Sequence, residues 1–455
     1  MSRVLFSLML LAILGATACS QGAAASTATT AAAPPPLAAT GPMPVPVIVS
    51  GRESGGWGYI DQAGVWVVPP LLEWADRFHE GEALVQVDLE WVRITDDKKF
   101  EAAESDGVKR WREGKRSTPP QDRKACLVDV TGKVVAGPFH CDNLYGNIQL
   151  AGCALSEGFA VVQQNAGTFI FFTEAFGYMD RTGKWLVKPN WPEAHAFREG
   201  LARVITKGTN RGRAGITGRG GYGYIDPTGK LAIPDQFEDA GDFSEGLAAA
   251  KIKGQWGYID KTGAVKIQPQ FYWAACFSEG LAAVQDKFPG GKEGYIDKTG
   301  AIVVPCRYDT ACPFSEGLAR VVVYAAAGAP SKCGFIDKSG AEVLPLKYEF
   351  AGDFSSGLAF VCAGGKYGYV DRTGKEVTPL QYASAWSLSE RLGRFKADTA
   401  SGPRYGYIDM TGAVKIPATF LNAEDFQDGL ARVQTAGGAA CIDTAGRMVW
   451  QEPKK

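Results

Sequence analysis

A short motif that recurs along most of the chain constrains its fold more than any other feature. Its clearest copy is Gly257-Tyr258-Ile259-Asp260-Lys261-Thr262-Gly263, and the later copies follow at intervals of about 38 residues. Repetition at such a period is typical of proteins in which each repeat is one small supersecondary unit. The chain is therefore predicted to contain about ten units, marked by the motif aspartates Asp61, Asp129, Asp180, Asp226, Asp260, Asp297, Asp337, Asp371, Asp409 and Asp443.

A second block of sequence keeps phase with the first. Phe243-Ser244-Glu245-Gly246-Leu247-Ala248 returns, with small changes, from Phe277, Phe314, Phe354 and Phe426. Because the two blocks recur together, one structural unit contains both. We expect the glutamate of this block to be a turn residue, since the glycine beside it accepts a positive φ angle.

Each unit is predicted to form three antiparallel strands, which in one copy are Leu281–Val284, Gly294–Asp297 and Ala301–Val304. The Asp-Lys-Thr-Gly segment before the third strand is a turn signal, because Asp can cap the turn and Gly adopts a positive φ. The connector to the next unit adds a short fourth strand or a helical turn. The fold class is therefore all-β, a tandem array of about ten short antiparallel three-stranded units.

One such unit cannot bury both of its faces, so the units are expected to stack on their neighbours. Propellers usually have roughly four to eight blades of about 40 residues. Ten units favour an open, curved array; a closed β-propeller-like ring, or two rings, is the alternative.

The repeat resembles the bacterial WG-repeat family, named for a Trp-Gly pair that Trp57-Gly58 and Trp256-Gly257 show unaltered. The resemblance covers about residues 51–449 and implies a repeat architecture much more than a defined activity. Other copies replace the tryptophan by Phe176, Tyr222, Tyr367 or Tyr405, and two depart further, to Glu293 and Cys333. We expect this column, with the Phe of the second block, to be core between units; the alternative is a platform that stacks sugars or bases.

The N-terminus indicates export. Residues 1–18 combine Arg3, an apolar run and small residues, which is typical of a secretory signal peptide. Cys19 resembles the lipidated cysteine of lipoproteins, although Ala16 stands where that pattern prefers leucine. Residues 19–48 are rich in Ala, Pro and Thr and are interpreted as a flexible tether. The repeat array is assigned to 49–449 and a C-terminal tail to 450–455.

Two interruptions of the array are candidate sites, because repeat proteins often bind through insertions. Residues 88–124 contain ten basic and nine acidic residues, and Asp97–Glu113 is predicted as a short charged helix. A solvated excursion is the alternative to a partner-docking element, whose candidate residues are Trp91, Arg110, Trp111 and Arg112.

Residues 207–221 form a Gly- and Arg-rich loop with no acidic residue. As a hairpin loop it is predicted either to be simply flexible or to hold an anion, through Lys207, Arg211, Arg213 and Arg219. A third interruption, 148–176, is interpreted as an extended strand pair.

The remaining polar residues give little support for catalysis or cofactors. The net charge of −1 argues against a nucleic-acid partner, and three histidines leave little material for metal or acid–base sites. The motif aspartates are expected to be turn residues, with calcium binding as the alternative. Among nine cysteines after Cys19, Cys276 and Cys312 are the candidates for a bridge between units. We expect no enzyme activity, no metal and no cofactor.

These observations favour a non-catalytic lipoprotein of the cell envelope that acts as a protein-interaction scaffold. Its membrane contact is the N-terminal lipid alone, and the anchor is expected in the outer membrane, facing the periplasm or the surface. The expected partner is an envelope protein. The alternative is a module that binds glycan or cell-wall polysaccharide.

Overall fold

The computed structural model describes residues 45–49, 56–75, 78, 81–89, 92–102, 123–140, 156–166, 173–180, 184–206, 211–212, 215–216, 221–287, 289–325 and 331–452. These residues form strands, turns and connecting segments and contain no helix, which confirms the all-β prediction. No helix long and apolar enough to cross a membrane therefore occurs in this part of the chain. The described residues divide into unit 1, within 236–425, and unit 2, within 34–235 and 426–455.

Unit 2 begins with four small antiparallel sheets, numbered here in chain order. Sheet 1 contains β1 (Val45–Val49), β2 (Gly56–Ile60) and β3 (Trp66–Leu72), so that it begins within the segment that the sequence assigns to the tether. Sheet 2 contains β4 (Trp74–Ala75), β5 (Glu82–Asp88), β8 (Arg123–Asp129) and β9 (Val134–His140), and β6 (Val92–Ile94) pairs with β7 (Phe100–Ala102) in a separate hairpin. Sheet 3 contains β10 (Phe159–Ala166), β11 (Thr173–Asp180) and β12 (Trp185–Trp191). Sheet 4 contains β13 (Glu193–Ala194), β14 (Ala202–Ile205) and β17 (Tyr222–Ile225), with the small hairpin β15 (Arg211–Gly212) and β16 (Gly215–Ile216), and β18 (Leu231–Phe237) follows.

Unit 1 contains five four-stranded antiparallel sheets. Sheet 5 is β19 (Asp239–Ala240), β20 (Leu247–Ile252), β21 (Gln255–Asp260) and β22 (Val265–Phe271). Sheet 6 is β23 (Trp273–Ala274), β24 (Leu281–Gln285), β25 (Glu293–Asp297) and β26 (Ile302–Tyr308). Sheet 7 is β27 (Thr310–Ser315), β28 (Leu318–Val323), β29 (Lys332–Asp337) and β30 (Glu342–Tyr348). Sheet 8 is β31 (Phe350–Ala351), β32 (Leu358–Ala363), β33 (Lys366–Asp371) and β34 (Glu376–Tyr382). Sheet 9 is β35 (Ser384–Ser389), β36 (Leu392–Thr399), β37 (Gly402–Ile408) and β38 (Val414–Phe420), after which β39 (Asn422–Ala423) ends the unit.

The chain then returns to unit 2 and forms sheet 10, which contains β40 (Leu430–Thr435), β41 (Gly438–Asp443) and β42 (Met448–Gln451). The described residues thus contain ten repeat sheets, as the ten motif aspartates predict.

The three predicted strands of a repeat are present, but the complete unit has four. In sheet 6 the predicted strands are β24, β25 and β26, and Ala283, Tyr295 and Val304 lie opposite one another. Of the two structures expected for the connector, a short fourth strand or a helical turn, the strand is present as β23, which pairs with β24. Its alanine, Ala274, is buried and lies opposite Val284.

The motif aspartate closes the turn between the third and fourth strands of each four-stranded sheet. Asp297 Oδ1 accepts hydrogen bonds from the Thr299 N–H at 2.8 Å, the Thr299 hydroxyl at 2.6 Å and the Ala301 N–H at 3.1 Å. Gly300 has a φ of +87°. The threonine hydrogen bond is the main reason that the pKa of Asp297 is lowered. The prediction of a turn aspartate is confirmed.

We call the contact between two consecutive sheets a seam, and an aromatic pair fills the seams between sheets 5 and 6, 6 and 7, and 7 and 8. Between sheets 6 and 7, the rings of Tyr295 and Phe314 lie 4.9 Å apart, and both side chains are buried. The Tyr295 hydroxyl donates to the Cys312 carbonyl at 2.6 Å, so its one polar group is satisfied inside the core. The Phe of the second block is therefore core between sheets, as predicted. The tryptophan column is buried to different degrees: Phe176 and Cys333 are buried, whereas Trp256 is partly buried and packs against the core.

The first and last repeats of the chain are in contact within unit 2. Ile60 and Cys441 share a buried cluster, and the rings of Trp66 and Trp450 lie 5.8 Å apart. The Gln62 side-chain amide donates to the Asp428 carbonyl at 3.1 Å. An open array would leave its two end sheets without each other as neighbours. The favoured open array is therefore wrong, and the propeller-like alternative agrees with the structure, because the first sheet covers apolar surface of the last.

A glycine substitution tests this contact. Gly64 has a φ of +80°, and a Cβ atom there would lie 2.0 Å from the Val449 carbonyl oxygen of the last repeat. Gly200 has a similar φ of +83°, with no described atom within 4 Å of such a Cβ. We expect Gly64→Ala to lower the free energy of unfolding by about 2 kcal/mol more than Gly200→Ala, since only the first adds overlap to backbone strain. Chemical denaturation followed by tryptophan fluorescence measures the difference. Equal losses would show that the two end repeats do not pack together.

Candidate functional site

The Ser-Glu-Gly residues of the second block connect neighbouring sheets, and we call them the Ser-Glu clamp. At the seam between sheets 6 and 7, the Ser278 hydroxyl donates to the Phe314 carbonyl at 2.8 Å. The Glu279 carboxylate accepts the Gly317 N–H at 2.9 Å. Lys338, in the aspartate turn of sheet 7, lies 3.2 Å from the same carboxylate. One side chain therefore joins two parts of the next sheet.

The glutamate of the clamp is a turn residue, as predicted, and it also has a role that the sequence did not reveal. Glu279 has a φ of +52°, which places it in the turn before β24. Glu157, Glu245 and Glu316 make the equivalent bonds to Gly200, Gly280 and Gly357. The regular spacing of Phe-Ser-Glu-Gly was the available signal, but it does not show that the side chain reaches the next repeat.

Glu293 replaces the motif tryptophan in sheet 6 and introduces a titratable group into a seam. Glu293 Oε2 accepts the Ala311 N–H at 2.7 Å. Asp309 lies nearby, with Oδ1 2.6 Å from Lys292 Nζ and Oδ2 accepting the Tyr324 N–H at 2.8 Å. The pKa of Glu293 is raised to about 7, mainly by burial and to a smaller extent by the charge of Asp309, while the Ala311 hydrogen bond acts in the opposite direction.

The raised pKa of Glu293 makes stability depend on pH. The folded-state pKa of about 7 exceeds the ordinary value of 4.5, so between these values the folded chain binds the extra proton. The free energy of unfolding therefore falls as the pH rises towards 7, then levels off. We expect Glu293→Gln to reduce the change between pH 5 and pH 8 by about 1–3 kcal/mol. Denaturation at several pH values measures it, with exposed Glu342→Gln as the control. If the free energy of unfolding of Glu293→Gln changed with pH as much as that of the wild type, the raised pKa of Glu293 would be contradicted.

The first predicted site, the insertion 88–124, is described only in part. Trp91, Arg110, Trp111 and Arg112 lie outside the described residues. The predicted helix over Asp97–Glu113 is wrong in its described portion, because residues 100–102 form strand β7. This hairpin forms because the apolar residues of both strands can be covered by sheet 2.

The β6–β7 hairpin is docked onto sheet 2. The Phe100 side chain is buried in the same cluster as Val134. The Val134 N–H donates to the Lys98 carbonyl at 2.8 Å. On the outer side, Arg93 and Glu101 form an exposed ion pair. The beginning of the insertion is thus part of the folded repeat, not a solvated excursion.

The second predicted site, in 207–221, is also described in part. Arg211 belongs to the short strand β15, which pairs with β16. Lys207, Arg213 and Arg219 lie outside the described residues, so the anion site stays a prediction. The third interruption is an extended strand pair as predicted, since β10 and β11 pair from Phe159↔Asp180 to Ala166↔Thr173.

The cysteine predictions have different outcomes. Cys276 is disulfide-bonded whereas Cys312 is a free thiol, so the proposed bridge between them is wrong. Cys312 instead lies in the seam beside the Tyr295 hydroxyl, and burial raises its pKa to about 12. Cys19, the expected lipidation site, lies outside the described residues.

Unit 1 also carries exposed aromatic side chains at the start of its sheets. Tyr272 and Trp273 are 43% and 37% exposed, and Phe350, at the equivalent place in sheet 8, is 55% exposed. Phe350 stacks on Phe360 at 6.0 Å. Large apolar side chains left in solvent at equivalent repeat positions are available for contact with a ligand or partner.

A family model described as WG containing repeat matches more than half of the chain. The matched segments are residues 57–91, 176–209, 222–256, 256–287, 294–324, 334–367, 367–396 and 405–438. No curated protein matches the sequence.

Several solved structures are similar at low sequence identity. A eukaryotic initiation factor has 10% identity and a TM-score of 0.44, over 73% of this chain and 94% of that chain. TolB from Acinetobacter baumannii has 14% identity and a TM-score of 0.26, over 64% of this chain and 78% of that chain. Hsv2 from Kluyveromyces lactis has 6% identity and a TM-score of 0.27, over 44% of this chain and 70% of that chain. Likenesses this weak indicate nothing about function.

Proposed function

The chain belongs to the WG containing repeat family, and from this premise we propose that it is a non-catalytic protein-interaction scaffold of the cell envelope. The observation that carries the proposal is the position of the insertions. The two long interruptions, 89–122 and 206–221, both fall between the second and third strands of a repeat, in sheets 2 and 4. A hairpin at this place can lengthen without disturbing the seams.

The repeated polar residues support the same conclusion, because structural contacts already use them. Motif aspartates such as Asp297 close turns within a sheet, and clamp residues such as Ser278 and Glu279 bind the next sheet. The repeats therefore differ in the length of the hairpin between their second and third strands and in a few exposed side chains. Scaffolds of repeat proteins bind partners through such variable positions.

Affinity capture tests the partner site in the insertion of sheet 2. The bait is residues 20–455, which retain β1. A variant combines Trp91→Ala, Arg110→Ala, Trp111→Ala and Arg112→Ala, and the matched control is Arg93→Ala with Glu101→Ala in the docked hairpin. We expect the wild type and the control to capture the same envelope protein and the fourfold variant to lose it, since aromatic and arginine side chains dominate interface energies.

The opposite result would favour the alternative. A glycan-binding module should capture wall or surface polysaccharide equally with all three baits. The exposed Tyr272 and Trp273 are the observation in its favour, because sugars stack on such rings. Under that alternative, Trp273→Ala reduces the binding and polysaccharide changes the tryptophan fluorescence of the wild type.

We also propose that the scaffold is an outer-membrane lipoprotein attached through Cys19 and exposed to the periplasm or the surface. The support is the signal-like sequence of residues 1–18 and the Ala/Pro/Thr composition of the segment that follows. Attachment through a tether holds the folded repeats away from the bilayer, where envelope partners are reached.

Substitution of the lipidation residue tests the anchor. We expect Cys19→Ala to move the protein from the membrane fraction to the soluble fraction of lysed cells, since the lipid is its only proposed membrane contact. Cys441→Ala is the control, because this buried thiol lies in a repeat. Unchanged membrane partitioning of Cys19→Ala would contradict lipid anchoring.

A further inference from the structure

A groove opens at the seam between sheets 8 and 9, both of which belong to unit 1. Its volume is about 380 Å3, and its walls include Ser356, Leu358, Lys375, Val377, Met410 and Thr411. Leu358 and Val377 belong to sheet 8, whereas Met410 and Thr411 belong to the aspartate turn of sheet 9. The groove therefore lies at the place where, in other seams, the Ser-Glu clamp binds the next sheet.

Other seams of unit 1 show what normally occupies this place. Between sheets 5 and 6, the Glu245 carboxylate accepts the Gly280 N–H at 3.0 Å and lies 3.0 Å from Lys298 Nζ. The Glu279 carboxylate has the same two kinds of partner in the next seam, a backbone N–H and a lysine of the aspartate turn. A carboxylate held by one N–H and one cation is thus the regular occupant.

All three members of this arrangement are replaced together at the seam between sheets 8 and 9. Ser356 stands at the glutamate position, Arg391 at the position of the glycine, and Met410 at the position of the turn lysine. The serine half of the clamp is retained, since the Ser355 hydroxyl donates to the Leu388 carbonyl at 2.8 Å. The serine bond across this seam is therefore kept, whereas the glutamate carboxylate and the turn lysine that pairs with it are both missing.

The backbone at this place retains the geometry of the other clamps. Ser356 has a φ of +52°, the same as that of Glu279. Ser356 therefore starts in the same direction as a clamp glutamate but is too short to reach the next sheet. The space that the longer side chain fills elsewhere belongs to the groove.

A cation contacts one wall residue of the groove, Met410, although the cation itself is not among the lining residues. Arg391 is exposed, and its Nε lies 2.7 Å from the Met410 sulfur, which is a weak acceptor. Among the described residues no acidic side chain forms an ion pair with Arg391, and none accepts its backbone N–H. Arginine prefers a planar, two-oxygen acceptor, and a carboxylate is such an acceptor.

The groove is not a general anion site. Asp371 and Glu376 also line it, although Asp371 Oδ1 is engaged by Thr373 and the Lys375 N–H in its own turn. Their charges disfavour free anions of high charge density. The apolar walls, Leu358, Val377 and Met410, favour a carboxylate that arrives on a hydrocarbon stem.

We propose that this groove binds a glutamate or aspartate side chain of a partner polypeptide, at the position that Glu245 and Glu279 occupy in their own seams. The bound carboxylate accepts the Arg391 N–H and pairs with the Arg391 guanidinium, while its stem contacts Met410 and Val377. The proposal rests on the scaffold function proposed above and names the chemistry of one partner contact.

The first test uses the hexapeptide of residues 277–282, Phe-Ser-Glu-Gly-Leu-Ala, and a second peptide with Gln in place of Glu. Both are blocked at their ends, labelled, and titrated with residues 20–455 by fluorescence anisotropy. We expect the Glu peptide to bind at least about tenfold more tightly than the Gln peptide. Arg391→Ala should abolish this preference. Absence of binding of the Glu peptide at millimolar concentration, or equal binding of both peptides, overturns the proposal.

The second test supplies the missing carboxylate within the chain. Ser356→Glu should raise the Tm above that of Ser356→Gln, because only the carboxylate forms an ion pair with Arg391. Ser356→Glu should also lower the affinity for the Glu peptide at least about tenfold, because the new side chain occupies the place of the peptide carboxylate. Ser356→Ala leaves the groove open, so its affinity for the Glu peptide should stay within about threefold of that of the wild type. A Ser356→Glu variant that binds the peptide as the wild type does, or is no more stable than Ser356→Gln, overturns the proposal.

These tests are independent of the capture experiment. The scaffold proposal depends on the insertion of sheet 2, and the four residues substituted there differ from those substituted in the groove tests. Loss of the captured partner with the fourfold variant but no selective peptide binding would retain the scaffold and remove the groove proposal.

Discussion

Within unit 1 each sheet depends on its neighbours, because a four-stranded sheet of this size has two apolar faces and cannot cover either by itself. A buried tyrosine of one sheet packs on a phenylalanine of the next at the seams between sheets 5 and 6 and between sheets 6 and 7, and two phenylalanines do so between sheets 7 and 8. Tyr295 and Phe314 illustrate the arrangement, with ring centroids 4.9 Å apart and the tyrosine hydroxyl bonded to a carbonyl. The hydroxyl allows a polar aromatic residue to be buried without an unsatisfied group.

The Ser-Glu clamp adds hydrogen bonds to this apolar packing, and these bonds run from each sheet to the one that follows it in the chain. The serine hydroxyl and the glutamate carboxylate bind groups of the following sheet, as Ser278 and Glu279 do. A repeat can therefore change its hairpins freely, provided that the aromatic pair and the clamp are kept. This division explains why insertions fall between the second and third strands and why a missing clamp residue leaves a groove without breaking the seam.

Departures from the repeat have different physical consequences. Glu293 places a carboxylate where the motif has tryptophan, and burial raises its pKa to about 7. Ser356 removes a carboxylate from a place where other repeats have one, and Arg391 brings a cation there instead. The sequence displays both departures, but it does not show which of them faces a core, a neighbouring sheet or solvent.

The sequence by itself determined the three repeated strands of a unit, the turns between them and the number of repeats, because these depend on local patterns such as Asp-Lys-Thr-Gly, whose hydrogen bonds are made within five residues. It also indicated that the Phe of Phe-Ser-Glu-Gly is buried, because an apolar residue that recurs at the same position of each repeat is expected to pack against the neighbouring repeat. Only the tertiary structure decided the contact of Trp66 with Trp450, the reach of Glu279 to Gly317 and the docking of Phe100. Each of these depends on how sheets are placed against one another, and that placement is the sum of many weak contacts between distant residues, which no local pattern records.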